Sequence, residues 1–174
     1  KENGENGRPL LYNAAFYASR GEFKTLVDCK GVRKNFLPKT LLPCYREFEE
    51  TRYFSDLRKL AQTINAPMSE MIAPLQLDGF QLGITICEDG WDSLYKIKPF
   101  EILRSKIGAG DLLINISCSP YTQGKDRARD RVFGTHAKHA GIPLLYVNAV
   151  GSQNNGKNIY AFEGDSSVYD AAGK

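Results

Sequence analysis

The sequence has few of the features that mark membrane, secreted or nucleic-acid-binding proteins. No apolar run approaches the roughly 18 to 20 residues of a bilayer-spanning helix, and the first residues contain no apolar signal-peptide core. The 23 Lys and Arg residues exceed the 20 Asp and Glu residues by only +3, which does not favour nucleic acid or a membrane surface as a partner. These absences favour a cytoplasmic protein that binds small polar molecules.

The sequence also lacks paired cysteines. Its four cysteines, Cys29, Cys44, Cys87 and Cys118, are far apart and form no Cys-x-x-Cys pair of the kind found in structural zinc sites. We therefore expect no metal. Without a secretion signal, the thiols are better interpreted as reduced than as a disulfide framework, so at least one of them could be reactive.

An alternation of apolar and helical segments is present along the second half of the chain. It predicts, in order, a strand over Gly79–Ile86, a helix over Pro99–Ile107, a strand over Leu112–Ile116, a helix over Lys125–His139 and a strand over Leu144–Val150. Such an order is typical of an α/β fold with parallel neighbouring strands. With 174 residues, of which 42% are hydrophobic, one domain is the expected organisation.

Shorter elements are predicted on both sides of this alternation. At the start we expect a strand over Leu10–Ala18, a turn at Ser19–Gly21, a strand over Glu22–Asp28, an extended stretch near Val32–Leu37 and a short helix over Ser55–Ile64. At the end, Ile159–Phe162 and Ser166–Tyr169 are predicted to form a hairpin. His136 and His139 are interpreted as part of a hydrated helix face.

Cys87 is the strongest candidate for chemistry. It closes the predicted strand over Gly79–Ile86 and is followed at once by Glu88, Asp89 and Gly90, so it should project from a sharp turn. Ligands of α/β folds bind beyond the carboxyl ends of the strands, and the thiolate is the nucleophilic form of cysteine. The alternative is a small buried cysteine that only packs, which is the favoured interpretation for Cys29 and Cys44.

Several ordered motifs run along the chain: Lys39–Phe54, Ile86–Trp91, Asn115–Tyr121 with Gly124, Lys125 and Arg129, Tyr146–Gln153, and Phe162–Ser166. Together they resemble the nitrilase (carbon-nitrogen hydrolase) superfamily, and most closely the N-terminal glutaminase domain of glutamine-dependent NAD synthetases. The resemblance runs from about Leu11 to the end of the chain. It implies a nitrilase-type αββα sandwich, incomplete at its N-terminus, with residues 1–174 as a single truncated domain.

The resemblance also implies catalytic residues. Cys87 would be the nucleophile, Lys39 would favour the thiolate and then stabilise the oxyanion with the backbone N–H of Glu88, and Glu50 would position the lysine. If the match to the family is shifted by one residue, Glu49 takes this role in place of Glu50. Taken singly, the lysine and either glutamate could instead be solvated surface residues.

The same resemblance assigns Tyr45, Glu88, Ser119 and Lys125 to the binding of L-glutamine. A zwitterion requires both a carboxylate and a cation, which Glu88 and Lys125 would supply. The alternatives are a packed tyrosine, a helix-capping glutamate, a serine in a turn and a solvated lysine.

The general-base glutamate of the superfamily is not matched in this sequence. It would lie upstream of the first predicted hairpin, so we expect residues 1–174 alone to be inactive, since general base catalysis contributes roughly 10² to 10⁴ in rate. No phosphate loop of a synthetase domain is found either, which places ATP and Mg in an implied synthetase domain that would receive the ammonia. A homo-oligomer is also implied.

Two other interpretations stay open at this point. The chain could be another superfamily member that hydrolyses a small amide or nitrile, because Lys39 and Cys87 alone do not choose among substrates. It could also be a non-catalytic assembly module, because the general base is not matched.

Overall fold

The computed structural model describes residues 7–27, 33–34, 36–77, 79–154 and 156–174. Cys29 and the predicted extended residue Val32 lie outside the described residues. The chain divides into two compact units, Lys1–Ala73 and Pro74–Lys174.

The first unit consists of very short strands followed by short helices. Its strands are β1 (Ala14–Ala15), β2 (Ala18–Ser19), β3 (Glu22–Phe23), β4 (Leu26–Val27), β5 (Arg33–Lys34) and β6 (Leu37–Pro38). Its helices are α1 (Glu50–Tyr53), α2 (Leu57–Thr63) and α3 (Met68–Met71). The short helix predicted over Ser55–Ile64 is confirmed as α2, which begins where the Asp56 side chain accepts the Lys59 N–H at 3.2 Å.

The predicted turn after Ser19 is confirmed, but the long strand before it is wrong. β2 and β3 pair antiparallel across Arg20 and Gly21, and both turn residues have positive φ, as a two-residue hairpin loop requires. β1 instead pairs with β6, so the backbone changes partner between Ala15 and Ala18. Phe16 and Tyr17 lie in neither strand, so the predicted single strand over Leu10–Ala18 is replaced by two short ones.

The second unit is built on a five-stranded mixed sheet in the order β13-β10-β9-β8-β7. Its strands are β7 (Leu75–Leu77), β8 (Phe80–Ile86), β9 (Leu112–Ser117), β10 (Leu144–Asn148) and β13 (Ser167–Tyr169). The three central strands β8, β9 and β10 are parallel, and the two outer strands are antiparallel to their neighbours. The predicted α/β alternation is thereby confirmed, with α4 (Pro99–Arg104) and α5 (Lys125–Ala140) between the strands.

The hairpin predicted at the end of the chain is wrong in its pairing. β12 (Ile159–Glu163) pairs with β11 (Val150–Asn154), whereas β13 joins β10 in the main sheet. The Asn148 side chain donates to Gly164 O at 3.0 Å, and the Asn148 N–H donates to Ser166 Oγ at 3.0 Å. These bonds draw the chain after β12 towards the end of β10 instead of letting it fold back on β12.

The core of the second unit centres on Phe133 of α5. Phe133 is fully buried, as are Leu103, Leu113 and Leu144 around it in the unit. The Phe133 ring lies 4.7 Å from the Tyr146 ring and 5.8 Å from the Trp91 ring, measured between centroids. This packing fixes α5 against one face of the sheet and against the segment that follows β8. Within the described ranges, no helix has the length and apolar character needed to cross a membrane.

Candidate active site

Cys87 lies where the central strand β8 ends and a 3₁₀ helix, Cys87–Leu94, begins; this helix is kinked at Trp91, whose φ of −102° and ψ of 35° are non-helical. We call this helix the Cys87 turn. The backbone φ of Cys87 is +47°, in the left-handed region, which costs an ordinary side chain roughly 1–2 kcal/mol. The Ile86 N–H donates to Asp89 Oδ2 at 3.1 Å, and this hydrogen bond closes the first part of the turn. A strained, partly exposed cysteine at the carboxyl end of a central parallel strand is well placed to act as a nucleophile.

A buried polar network lies under Cys87 and joins β8 to β9. Asn115 is fully buried, and its amide donates to Thr85 Oγ1 at 2.9 Å and to the Cys87 carbonyl at 3.4 Å. Ser117 Oγ donates to Asn115 Oδ1 at 2.7 Å. The network satisfies polar groups that would otherwise be buried without partners, and it fixes the backbone at Cys87.

The far side of the Cys87 turn packs against α5 and α4. His136 Nε2 is 3.0 Å from the Gly90 carbonyl, and the imidazole stacks on Phe100 with ring centroids 4.1 Å apart. Because a carbonyl can only accept, Nε2 carries the proton. Burial lowers the pKa of His136 and raises the pKa of its neighbour Asp92. The interpretation of His136 as part of a hydrated face is therefore wrong, whereas His139 is exposed.

Gly90 gives one prediction on stability. A Cβ added at Gly90 would lie 2.5 Å from the Phe133 ring and 3.0 Å from the Asn115 amide nitrogen. Since Phe133 is held between other rings, we expect Gly90→Ala to lower the free energy of unfolding by about 1–3 kcal/mol. Urea unfolding followed by the fluorescence of Trp91, the single tryptophan of the chain, measures this loss.

Gly108→Ala is the matched control, because a Cβ at Gly108 would meet nothing within 4 Å. Equal stability of the two variants would show that the Cys87 turn tolerates the added carbon and that its packing on α5 is loose.

Glu88, the second residue of the Cys87 turn, is 5% exposed. Its Oε1 accepts a hydrogen bond from the hydroxyl of Tyr95 at 2.8 Å. At the end of the 3₁₀ helix, Lys98 Nζ donates to the carbonyls of Asp92 and Ser93, both at 2.8 Å. Tyr95 was not recognised in the sequence, and only its spacing of seven residues from Glu88 could have suggested the contact.

The two remaining substrate-binding candidates of this unit follow β9. Ser119 is buried, and its N–H donates to Asn148 Oδ1 at 2.9 Å, which ties it to the end of β10. Lys125 begins α5, and its Nζ lies 6.0 Å from the centroid of the Trp91 ring in the Cys87 turn. Because β8, β9 and β10 are parallel, these residues share one edge of the sheet with Cys87.

In the first unit, Lys39 and Glu50 form a close ion pair. Lys39 Nζ is 2.8 Å from each carboxylate oxygen of Glu50, and the lysine side chain is fully buried. Glu49, the register alternative, pairs with Arg52 on the surface at 3.5 Å. A buried lysine is costly unless paired, so Glu50 stabilises Lys39 in its position. Tyr45 is 46% exposed, and its ring meets Phe48 edge-on at 5.8 Å.

Of the other described cysteines, Cys118 has less of the character of a nucleophile, because partial desolvation raises the pKa of its thiol and reduces its thiolate fraction. Cys44 is exposed, so its interpretation as a small buried cysteine is wrong. Among the described residues, no group of three or more His, Cys, Asp or Glu side chains is arranged to hold a metal ion.

Comparisons with known proteins show which proteins this chain is similar to. No family model matches the chain. A glutamine-dependent NAD(+) synthetase from Synechocystis sp. is 31% identical over 176 residues, covering 97% of this chain and 26% of the relative. The structure of a glutamine-dependent NAD+ synthetase from Acinetobacter baumannii matches with a TM-score of 0.68 and 25% identity, over 99% of this chain and 26% of that one.

A carbon-nitrogen hydrolase from Helicobacter pylori has the same fold, with a TM-score of 0.62 and 21% identity over 92% of this chain and 55% of that one. The chain therefore has the fold of carbon-nitrogen hydrolases, and the proteins that it resembles are enzymes. It is similar to glutamine-dependent NAD+ synthetases and spans about a quarter of the length of the curated relatives that it matches. The expected resemblance and the α/β fold are confirmed.

Proposed function

We propose that this chain is the glutaminase part of a glutamine-dependent NAD synthetase, in which residues 1–174 belong to one hydrolase domain. It converts L-glutamine and water into glutamate and ammonia, and the ammonia is used by a synthetase part to amidate deamido-NAD to NAD. The observation that carries this proposal is Cys87, held with left-handed φ at the end of β8 and followed by the buried Glu88.

The proposed chemistry begins with attack of the Cys87 sulfur on the δ-carbon of the glutamine side-chain amide. The carbonyl oxygen becomes an oxyanion, which the Glu88 N–H and the positive charge of Lys39 stabilise. The carbon–nitrogen bond then breaks, the nitrogen takes up a proton and leaves as ammonia, and a γ-glutamyl thioester remains. Water hydrolyses the thioester to glutamate and restores the thiol.

Substrate binding in this proposal uses complementary charge. Glu88 receives the α-ammonium group of glutamine, Lys125 receives the α-carboxylate, and Ser119 and Tyr45 add polar contacts. Glu50 holds Lys39 and so keeps its charge in place. The hydrolysis requires neither ATP nor Mg, which belong to the synthetase reaction.

Ammonia release from several substrates tests the proposal. In the full-length gene product, which is used because the reaction also requires a general base, we expect glutamine to be hydrolysed with a kcat/KM at least about 100-fold above that for butyramide. The reason is that only glutamine can pair with both Glu88 and Lys125. A preference for simple amides or nitriles would instead indicate another hydrolase of the superfamily, and no ammonia from any substrate would indicate a non-catalytic module.

A further inference from the structure

Tyr95 is placed to act on Glu88 from outside the Cys87 turn. It directly follows Leu94, and its N–H donates to the Asp92 carbonyl at 3.0 Å, which ends the 3₁₀ helix. Its side chain returns along the turn, so that its hydroxyl reaches Glu88 Oε1 at 2.8 Å. The contact therefore joins the residue that directly follows the turn to the second residue of the turn.

The chemistry of this contact makes the Tyr95 hydroxyl the hydrogen-bond donor and the Glu88 carboxylate the acceptor. Burial, together with the hydrogen bond to Glu88, raises the pKa of the Tyr95 phenol far above its ordinary value, so the hydroxyl keeps its proton and acts as a donor. A neutral donor orients a carboxylate without neutralising it, whereas a lysine or arginine in the same place would cancel its charge.

We propose that Tyr95 is a positioning residue that orients the Glu88 carboxylate towards the α-ammonium group of the substrate, and that it thereby selects an amino-acid amide over a simple amide. The inference rests on the proposed function, because it assigns Glu88 to glutamine binding. It adds a residue that would not itself touch the substrate.

The test is Tyr95→Phe in the full-length protein, which removes one hydroxyl and keeps the ring. Losing a hydrogen bond to a charged group should raise the KM for glutamine by about 10-fold to 100-fold, with kcat changed little. The kcat/KM for butyramide, which has no ammonium group, should stay unchanged. Tyr160→Phe is the matched control on β12, and both constants should stay at their wild-type values.

A double-mutant cycle shows whether Tyr95 acts through Glu88. In a Glu88→Gln background, Tyr95→Phe should have little further effect, because the carboxylate that it orients is gone. Additive losses, or an equal loss with glutamine and butyramide, would overturn the proposal and assign Tyr95 a general structural role.

Two outcomes separate this inference from the function on which it rests. If the wild-type protein does not hydrolyse glutamine, both the proposed function and the role of Tyr95 fail. If it does hydrolyse glutamine and Tyr95→Phe has the same KM, only the role of Tyr95 fails.

Discussion

Replacement of Cys87 by alanine should lower glutamine hydrolysis in the full-length protein by about 10⁴-fold or more. An enzyme that forms a covalent intermediate loses its whole pathway with its nucleophile, and only binding and oxyanion stabilisation remain. The fold should tolerate the change, because Cys87 is partly exposed and alanine keeps the Cβ. Ammonia release under saturating glutamine measures the loss, and circular dichroism checks the fold.

Cys118→Ala is the matched control. Cys118 follows β9 at the same edge of the sheet, but it makes only a weak contact of 3.9 Å with Gln153 and has the raised thiol pKa described above. We expect this variant to retain near wild-type activity. A glutamine-analogue diazo ketone should then label Cys87 in the wild-type protein, and labelling of Cys118 or Cys44 instead would contradict the assignment of the nucleophile.

Much of the second unit could be predicted because its signals are local. The apolar run that becomes β8 stops at Glu88 and Asp89, so the sharp turn at Cys87 follows from a few neighbouring residues. The helix predicted over Lys125–His139 is α5, which ends at Ala140 and is followed by Gly141 with φ +65°. Each of these features depends on residues that are close to each other in the sequence.

The features that could not be predicted depend on distant partners. β13 has the pattern of a hairpin strand, but the bonds of Asn148 to Gly164 and Ser166 lead it to β10. His136 is surrounded in sequence by charged residues, yet the Phe100 ring of α4 covers its imidazole. A single sequence does not contain these pairings.

The candidate site shows the same division between local and distant signals. The position of Cys87 at the end of a strand nominated the nucleophile, the resemblance of the motifs to a known family nominated Lys39 and Glu50, and the structure pairs Lys39 and Glu50 directly. The Tyr95 contact depends on where a ring points after a 3₁₀ helix, which has no clear sequence pattern. Side chains outside the motifs that support the site, such as Tyr95, could therefore be identified only from the structure.

Arg129 of α5 links this helix to the end of β12 and to the residues that follow it. It differs from the other charged residues of the helix because it is buried. It is 1% exposed, and its guanidinium donates to Glu163 Oε1 at 2.8 Å and to Asp165. The guanidinium carbon also lies 5.1 Å from the centroid of the Tyr146 ring. Two carboxylates and one aromatic face therefore depend on a single buried cation.

Arg129→Ala should lower the free energy of unfolding by about 3–5 kcal/mol, the usual cost of removing one partner of a buried ion pair. A value near the lower end is expected, because Asp165 is half exposed and water can solvate it after the change. Urea unfolding followed by Trp91 fluorescence measures the loss.

Arg131→Ala, at an exposed position of the same helix, is the matched control and should change stability by no more than about 0.5 kcal/mol. If the two variants were equally stable, the ion pairs of Arg129 would contribute no more than surface pairs. The attachment of α5, which carries Lys125 at its start, would then depend on the packing of Phe133 and on the hydrogen bonds of His136 and Asp130 rather than on Arg129.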